Sequence, residues 1–284
     1  RSACRECPGA YSTFVHDFFL RASDPAFTRL VKLEILTILA ADGPRQVEKV
    51  LGELRTYLRH DDRHFVRAAV RAVATIAESH LVRGAAARQD DGEGGCEPVH
   101  VARMCLHGLL SLVAATDDAE VAGEAVVAAR HLMQMTKFSL LAERTKRDEG
   151  TDPGDPKNIL SAAVRRFILL LIRALAPEQL DQHASAAAPA SASPPPAPTL
   201  PSPAVASLVW LVGEWASTFD QPDSVTLPHT SAAQQRPVRD EILRLLAARF
   251  PDLEVEVKIQ AVHLASKLLL RLKSDPVPDG PPPH

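Results

Sequence analysis

With 284 residues, 46% of them hydrophobic and 24% charged, the chain is long enough to bury one large core or two ordinary ones. It is neither disordered throughout nor fibrous. Lys+Arg 32 against Asp+Glu 35 leaves a net charge of −3, so no global field draws nucleic acid or an anionic membrane. Aromatic residues are only 5%, and the apolar mass is mostly Ala, Leu and Val, which suits close-packed helices better than sheet.

The helical starts follow in chain order. Asp24-Pro25 precedes the apolar run through Leu30 to Ala40. Val47, Val50, Leu51, Leu54 and Leu58 then fall at i, i+3, i+4, i+7 and i+11. Asp61-Asp62 opens a stripe of Val66, Ala69, Val70, Val73, Ile76 and Ala77, and Asp117-Asp118 opens another of Ala122, Ala125, Val126, Ala129, Leu132 and Met133. Leu160, Ala163, Val164, Phe167, Ile168, Leu171 and Leu175 keep the same rhythm. Pro237 suits the first helical position of the run through Ile242, Leu245 and Leu246, and Asp252 precedes the last run, to Leu270. The longest strongly apolar stretch, Phe167 to Ile172, is fenced by Arg165, Arg166 and Arg173, far short of the roughly 20 residues of a spanning helix.

No segment alternates long enough to propose a strand, so the chain reads as all-α. From Asp24 to Asp61 is 37 residues, and from Asp61 to Asp117 is 56. The second interval shrinks to about 40 once Gly84 to Pro98 is taken out as a Gly-rich loop, the period of HEAT or armadillo units. The expected fold is a HEAT/armadillo-like α-solenoid of roughly four to six helix pairs. Ser185 to Pro203 is Ala/Ser/Pro low-complexity sequence carrying seven of the 23 prolines and reads as a disordered insert. The expected organisation is a terminal segment 1–10, a solenoid trunk 11–182, the insert 183–203, continued trunk 204–273 and a Pro-rich tail 274–284. Arg1 to Tyr11 carries neither a signal pattern nor an initiator Met, which reads as a fragment of a soluble, intracellular protein. The four cysteines, Cys4, Cys7, Cys96 and Cys105, are too few for a disulfide scaffold.

Each chemical signal has a plainer reading. Cys4-Arg-Glu-Cys7 has the spacing of half a zinc knuckle, with His16 the only early candidate for a third ligand; two ordinary thiols account for it. His60-Asp61-Asp62-Arg63-His64 is similar to the His-Asp step of all-helical metal phosphohydrolases, which also need a distant His and Asp, but ending one helix and capping the next explains His60 and Asp61 better. Gly92-Glu-Gly-Gly95 leads into no Lys-Ser/Thr step, and no Gly-x-Ser-x-Gly elbow exists, so nothing argues for catalysis, a cofactor or a metal. Leu30-Val-Lys-Leu-Glu34 fits the loose clathrin-recruiting pattern, but core packing explains it better. Pro195 to Pro198 makes a Pro-x-x-Pro step of the kind any proline-rich linker contains. Arg63, Arg67 and Arg71 share one face, available to an acidic partner or lipid phosphates and read here as a solvated face.

The ordered segments reach further than the repeat. Asp17-Phe-Phe-Leu-Arg-Ala-Ser-Asp-Pro25 and Leu30-Val-Lys-Leu-Glu-Ile-Leu-Thr-Ile-Leu-Ala40 resemble the trunk of beta-adaptins, the beta large subunits of heterotetrameric vesicle-coat adaptors. The resemblance continues through Leu51-Gly-Glu-Leu-Arg-Thr-Tyr57, Phe65-Val-Arg-Ala-Ala-Val-Arg-Ala-Val73 and Glu124-Ala-Val-Val127. It resumes with Trp210-Leu-Val-Gly-Glu-Trp215 and ends with Val257-Lys-Ile-Gln-Ala-Val-His-Leu-Ala-Ser-Lys267. The Arg-Ala-Ser-Asp-Pro step and the Lys-Leu-Glu-Ile-Leu-Thr run are most like adaptor complex three. Ala204-Val205-Ala206 departs from the family's Ala-Arg-Ala, and Gly84 to Pro98 and Ser185 to Pro203 look longer than the family's loops.

That resemblance implies a non-catalytic scaffold, a curved trunk that assembles with a second large subunit, a medium chain and a small chain. It implies recruitment by an Arf-type GTPase to the cytosolic face of Golgi or endosomal membranes and coated vesicles, with clathrin at most an indirect partner. Cargo would move towards lysosome- or vacuole-type organelles. The rival expectations are another helical-repeat scaffold, such as a coatomer large subunit or a transport receptor, and a metal hydrolase around His60 and Asp61.

Overall fold

A computed structural model describes residues 2–42, 46–87, 98–144, 156–176, 200–215 and 238–274. Among these the regular structure is helical throughout, without a strand. The chain divides into two compact units, Arg1–Ala163 with Pro198–Pro201, and Val164–Ala197 with Ser202–His284.

The first unit opens with two short helices, α1 (Ser2–Glu6) and α2 (Pro8–Tyr11), and a 3-10 segment, Ser12–Phe18. Both short helices pack on α3 (Ala26–Asp42), so the expected terminal segment is part of the fold. Helices α4 (Val47–Tyr57), α5 (Arg63–Ala87), α6 (Pro98–Ala115) and α7 (Ala119–Arg144) follow. Helix α5 packs on α3 and α7, and the three run parallel. Arg29, early in α3, meets His60 just ahead of α5, and the end of α3 meets His80. Arg63 meets Asp118 at the start of α7, and Glu78 meets His131 further along. Helices α4 and α6 carry the chain back between them and touch each other. The result is two layers, α3/α5/α7 and α4/α6, the arrangement of stacked helix pairs.

The expected stripes form the core. Ala69, Val70, Ile76 and Ala77 of α5, and Ala122, Ala125, Val126, Ala129, Leu132 and Met133 of α7, are sealed from solvent. The carboxylates before these helices cap them. Asp62 Oδ1 accepts from the Phe65 N–H (3.2 Å), and Asp118 Oδ1 accepts from the Val121 N–H (2.8 Å). The last carbonyls of α3 are closed by side chains of α5: His80 Nε2 donates to the Ala40 carbonyl (2.9 Å), and Arg83 donates to that of Ala41.

Two local expectations are corrected. Helix α4 ends at Tyr57, so Leu58 lies past it, half-buried, while Tyr57 completes the core face. The phenol packs on Phe65 (5.6 Å between centroids), and its hydroxyl accepts from the Leu20 N–H (2.9 Å), which ties the approach to α3 onto α4. Gly84 is helical rather than part of a loop, because α5 runs on to Ala87. Gly92, Gly94 and Gly95 lie outside the described residues, as do 183–199 of the expected insert, Pro237 and the tail from 275.

The second unit contains most of α8 (Pro156–Leu175), α9 (Ser202–Glu214), α10 (Val238–Arg249), a 3-10 turn Phe250–Asp252 and α11 (Val255–Ser274). Asp252 falls inside that turn, and the Glu254 carbonyl accepts the first α11 bond, from Lys258. Helix α9 lies against α11, burying Leu208, Leu211 and Val212 on one side and Val257, Ala261, Leu264 and Leu268 on the other. Arg249, ending α10, donates from Nη1 to the Leu175 carbonyl (2.9 Å) and so closes the end of α8.

Candidate functional site

The His60–His64 segment forms the junction of α4 and α5. His60 Nδ1 accepts from the Asp62 N–H (2.9 Å), Nε2 lies 2.8 Å from Arg29 Nη1, and the ring meets Phe65 edge-on. Both neighbours are donors, and a neutral imidazole has one acceptor nitrogen, so they compete for it. Asp62 is engaged as the cap of α5, while Asp61 and His64 are exposed. The arrangement is that of a helix junction. Among the described residues no group of three or more His, Cys, Asp or Glu side chains could hold a metal ion.

Cys4 is buried and Cys7 exposed, both as free thiols, so one is turned into the packing and the other into solvent. His16 meets Phe19 edge-on, with centroids 4.9 Å apart. Cys105 is also a free thiol, and burial pushes its pKa up to about 12, which keeps it protonated and unreactive. Cys96 lies outside the described residues.

Leu30-Val-Lys-Leu-Glu34 is mid-helix in α3. Leu33 is buried, Lys32 Nζ bonds Asp24 Oδ2 (2.7 Å) and the Phe19 carbonyl (3.2 Å), and Glu34 pairs with Arg5 (2.8 Å). Nothing in it is extended, as a recruited peptide would need to be. Pro195 to Pro198 lies outside the described residues.

The arginine row of α5 faces solvent, as expected, and also finds acidic partners. Arg63 pairs with Asp118, Arg67 lies 3.4 Å from both Glu120 and Glu124, and Arg71 lies 3.2 Å from Glu124. On this solvated face the pairs form an ion ladder that joins α5 to α7. Its acidic partner is the next repeat of the same chain. A signal for it exists in the sequence: three bases in one unit and three acids at corresponding places in the next.

A second junction is built by Trp210-Leu-Val-Gly-Glu-Trp215. Lys267 Nζ of α11 stands 5.7 Å from the Trp210 ring centroid and 3.1 Å from Glu214 Oε2. Gly213 is buried, and a Cβ placed on it would lie 3.4 Å from Leu264 Cδ1 and 3.4 Å from Lys267 Cδ. The glycine lets α9 and α11 approach closely, and the flanking Trp and Glu hold the lysine that crosses over it.

In the described residues, then, the prominent charged and aromatic groups tie helix to helix. The class these features define is an all-α helical-repeat protein of the HEAT/armadillo kind. No described helix is long and apolar enough to cross a membrane.

No family model matches the chain. It is 24% identical over 274 residues to the AP-3 complex subunit beta of Dictyostelium discoideum, covering 93% of this chain and 20% of that protein. Mouse AP-3 complex subunit beta-2 is 24% identical over 262 residues, and mouse AP-3 complex subunit beta-1 is 24% identical over 265; these cover 92% and 93% of this chain and 17% of each relative. The chain thus spans about a fifth of the length of the curated relatives it matches. The chain is similar along more than nine tenths of its length to beta subunits of the AP-3 complex.

Proposed function

We propose that the chain is part of a non-catalytic scaffold subunit of a vesicle-coat adaptor complex, acting in intracellular, vesicle-mediated protein transport. The observation that carries this reading is the likeness to AP-3 beta subunits along more than nine tenths of the chain, on a stack of helix pairs whose polar groups serve helix–helix contact. A stack of this kind works by surface: it offers extended faces to partner chains and needs no pocket chemistry. Its partners are a second large subunit, a medium chain and a small chain. Through them an Arf-type GTPase brings the assembly to the cytosolic face of Golgi or endosomal membranes and coated vesicles, and clathrin is reached only indirectly. Cargo travels towards lysosome- or vacuole-type organelles. Segments 11–182 and 204–273 are the trunk pieces, with 183–203 as the connection between them.

Affinity purification of the protein from its own cells, with partners identified by mass spectrometry, tests this. Recovery of a second large adaptin with a medium and a small chain is expected. Recovery of coatomer chains, or of nuclear-transport partners alone, would overturn it.

A further inference from the structure

The cations of the first unit divide between its two layers. Every Lys and Arg of α3 and α5 has a partner: Arg29 meets His60, Lys32 meets Asp24, Arg63, Arg67 and Arg71 meet the acids of α7, and Arg83 meets the Ala41 carbonyl. Helices α4 and α6 are the opposite. Lys49 and Arg55 of α4, Arg59 just past its end and Arg103 of α6 are exposed, and none has an ion pair or a side-chain hydrogen bond among the described residues. Glu48 and Glu53 are the only acids of α4, and α6 has none. Lys49, Arg55 and Arg59 lie on the side of α4 away from buried Val50, Leu54 and Tyr57. His100, Arg103 and His107, at i, i+3 and i+7, lie on the side of α6 away from buried Val101, Cys105 and Leu109. Because α4 and α6 touch, these sides adjoin as one basic face.

The same face carries two glycines that have no packing role inside the chain. Gly52 is exposed between Lys49 and Arg55, and Gly108 follows His107. A Cβ on either would meet nothing within 4 Å, whereas one on Gly213 would touch Leu264 and Lys267. Glycine destabilises a helix interior relative to alanine, and no close contact among the described residues offsets that here.

We propose that the outer face of α4 and α6 seats an extended acidic segment of another polypeptide, its backbone against Gly52 and Gly108 and its carboxylates on Lys49, Arg55, Arg59 and Arg103. The unpaired cations select an anionic partner. The glycines select a polypeptide over a lipid surface, because a bilayer takes up charge without approaching the helix backbone. Nor does α4 or α6 carry any of the exposed large apolar side chains that would enter a bilayer. Reach keeps the acidic runs that follow α5 and α7 off Arg55 and Arg59. Those two arginines stand where α4 leads into the start of α5, while 88–97 follows Ala87, 25 residues and about 37 Å further along. Chain length alone holds Asp90 and Asp91 within about 13 Å of Ala87. Asp148 and Glu149 likewise follow the far end of α7, which runs parallel to α5.

Fluorescence anisotropy of a labelled peptide of five Glu-Ser-Asp repeats, titrated at low salt with the full-length protein purified from its own cells, tests this. Binding is expected that Arg55→Glu together with Arg103→Glu weakens about tenfold, and that Arg166→Glu, at an exposed base of α8, leaves unchanged. Gly52→Leu and Gly108→Leu should each weaken it by about threefold or more without lowering Tm, since a side chain there finds open space in the chain and blocks only what lies over it. The leucine variants separate a seat from a diffuse field, which they would not alter. No binding, equal binding of a Gln-Ser-Asn peptide, an equal loss in Arg166→Glu, or leucine variants that bind as the parent does each overturn the proposal. So does displacement of the peptide by phosphatidylserine vesicles. Tighter binding after Asp90→Asn, Asp91→Asn and Glu93→Gln together would mean that the chain covers the face itself, and also overturns it. The peptide readout requires no adaptor subunit, so its failure and failure of the adaptor reading are separable.

Discussion

Gly213 offers the sharpest test of how α9 and α11 are held together. A methyl group at this position would reach Leu264 Cδ1 and Lys267 Cδ at 3.4 Å each, and the Leu264 Cα at 4.0 Å. These are ordinary contact distances, so Gly213→Ala adds packing without a clash. It also removes a poor helix former, with up to about 1 kcal/mol in favour of alanine, less this close to the helix end. Gly213→Leu adds three more carbons where Leu264 already stands, and overpacking of this kind costs about 1–3 kcal/mol. The alanine variant is therefore expected to be neutral or slightly stabilised and the leucine variant clearly destabilised, by about 2–4 °C in Tm per kcal/mol. Thermal and urea unfolding followed by far-ultraviolet circular dichroism measure both. A leucine variant as stable as the parent would refute the close approach of α9 and α11 at this position, and an alanine variant losing more than about 1 kcal/mol would mean that the helices stand closer than the 3.4 Å contacts allow.

The ladder between α5 and α7 is solvent-facing, so a double-mutant cycle on Arg67 and Glu124 is expected to show a coupling of about 0.2–1 kcal/mol that fades in 1 M salt; a salt-independent coupling would contradict an exposed pair. Asp118→Ala removes both a cap and the Arg63 partner and should cost about 1–2 kcal/mol in urea unfolding, at least as much as Asp62→Ala, which removes a cap alone. Tyr57→Phe leaves the Leu20 N–H without its acceptor and should cost about 1–3 kcal/mol, against no measurable change for Phe27→Leu on the exposed first turn of α3. The Lys32 ammonium, and then the Arg21 N–H, hold the Asp24 carboxyl below its ordinary value of 3.8. A depressed carboxyl stabilises the fold above its unfolded value and loses that contribution as pH falls through the folded one. Acid titration below about pH 4 should therefore unfold Asp24→Asn along a shallower limb than the parent; an identical limb would remove Asp24 from the account.

What the sequence made legible was whatever repeats within one helix. The stripes of α5, α7 and α8 are apolar at helical spacing, and Asp62 and Asp118 stand where a cap must, so periodicity and start signals found them. The beta-adaptin likeness was legible for a related reason, since it rests on short segments kept in order. Arg63, Arg67 and Arg71 face solvent as read, but their acidic partners were not legible because they lie more than fifty residues away, on another helix, where a window on one helix does not reach. Lys267 over Trp210 and Tyr57 on the Leu20 N–H are of the same kind: each is a contact between elements, fixed by packing. Gly84 was read as a loop residue from composition, and the helix that absorbs it is held by His80 and Arg83 capping α3 just upstream.

The central claim is that the chain acts by assembling with other subunits. Size-exclusion chromatography with light scattering on the tagged protein purified from its own cells, with the chains in the peak quantified, tests it most directly. The account predicts one species containing this protein and three different partners, a large, a medium and a small chain, in equal numbers. A species containing this protein alone, or only copies of itself, would contradict it.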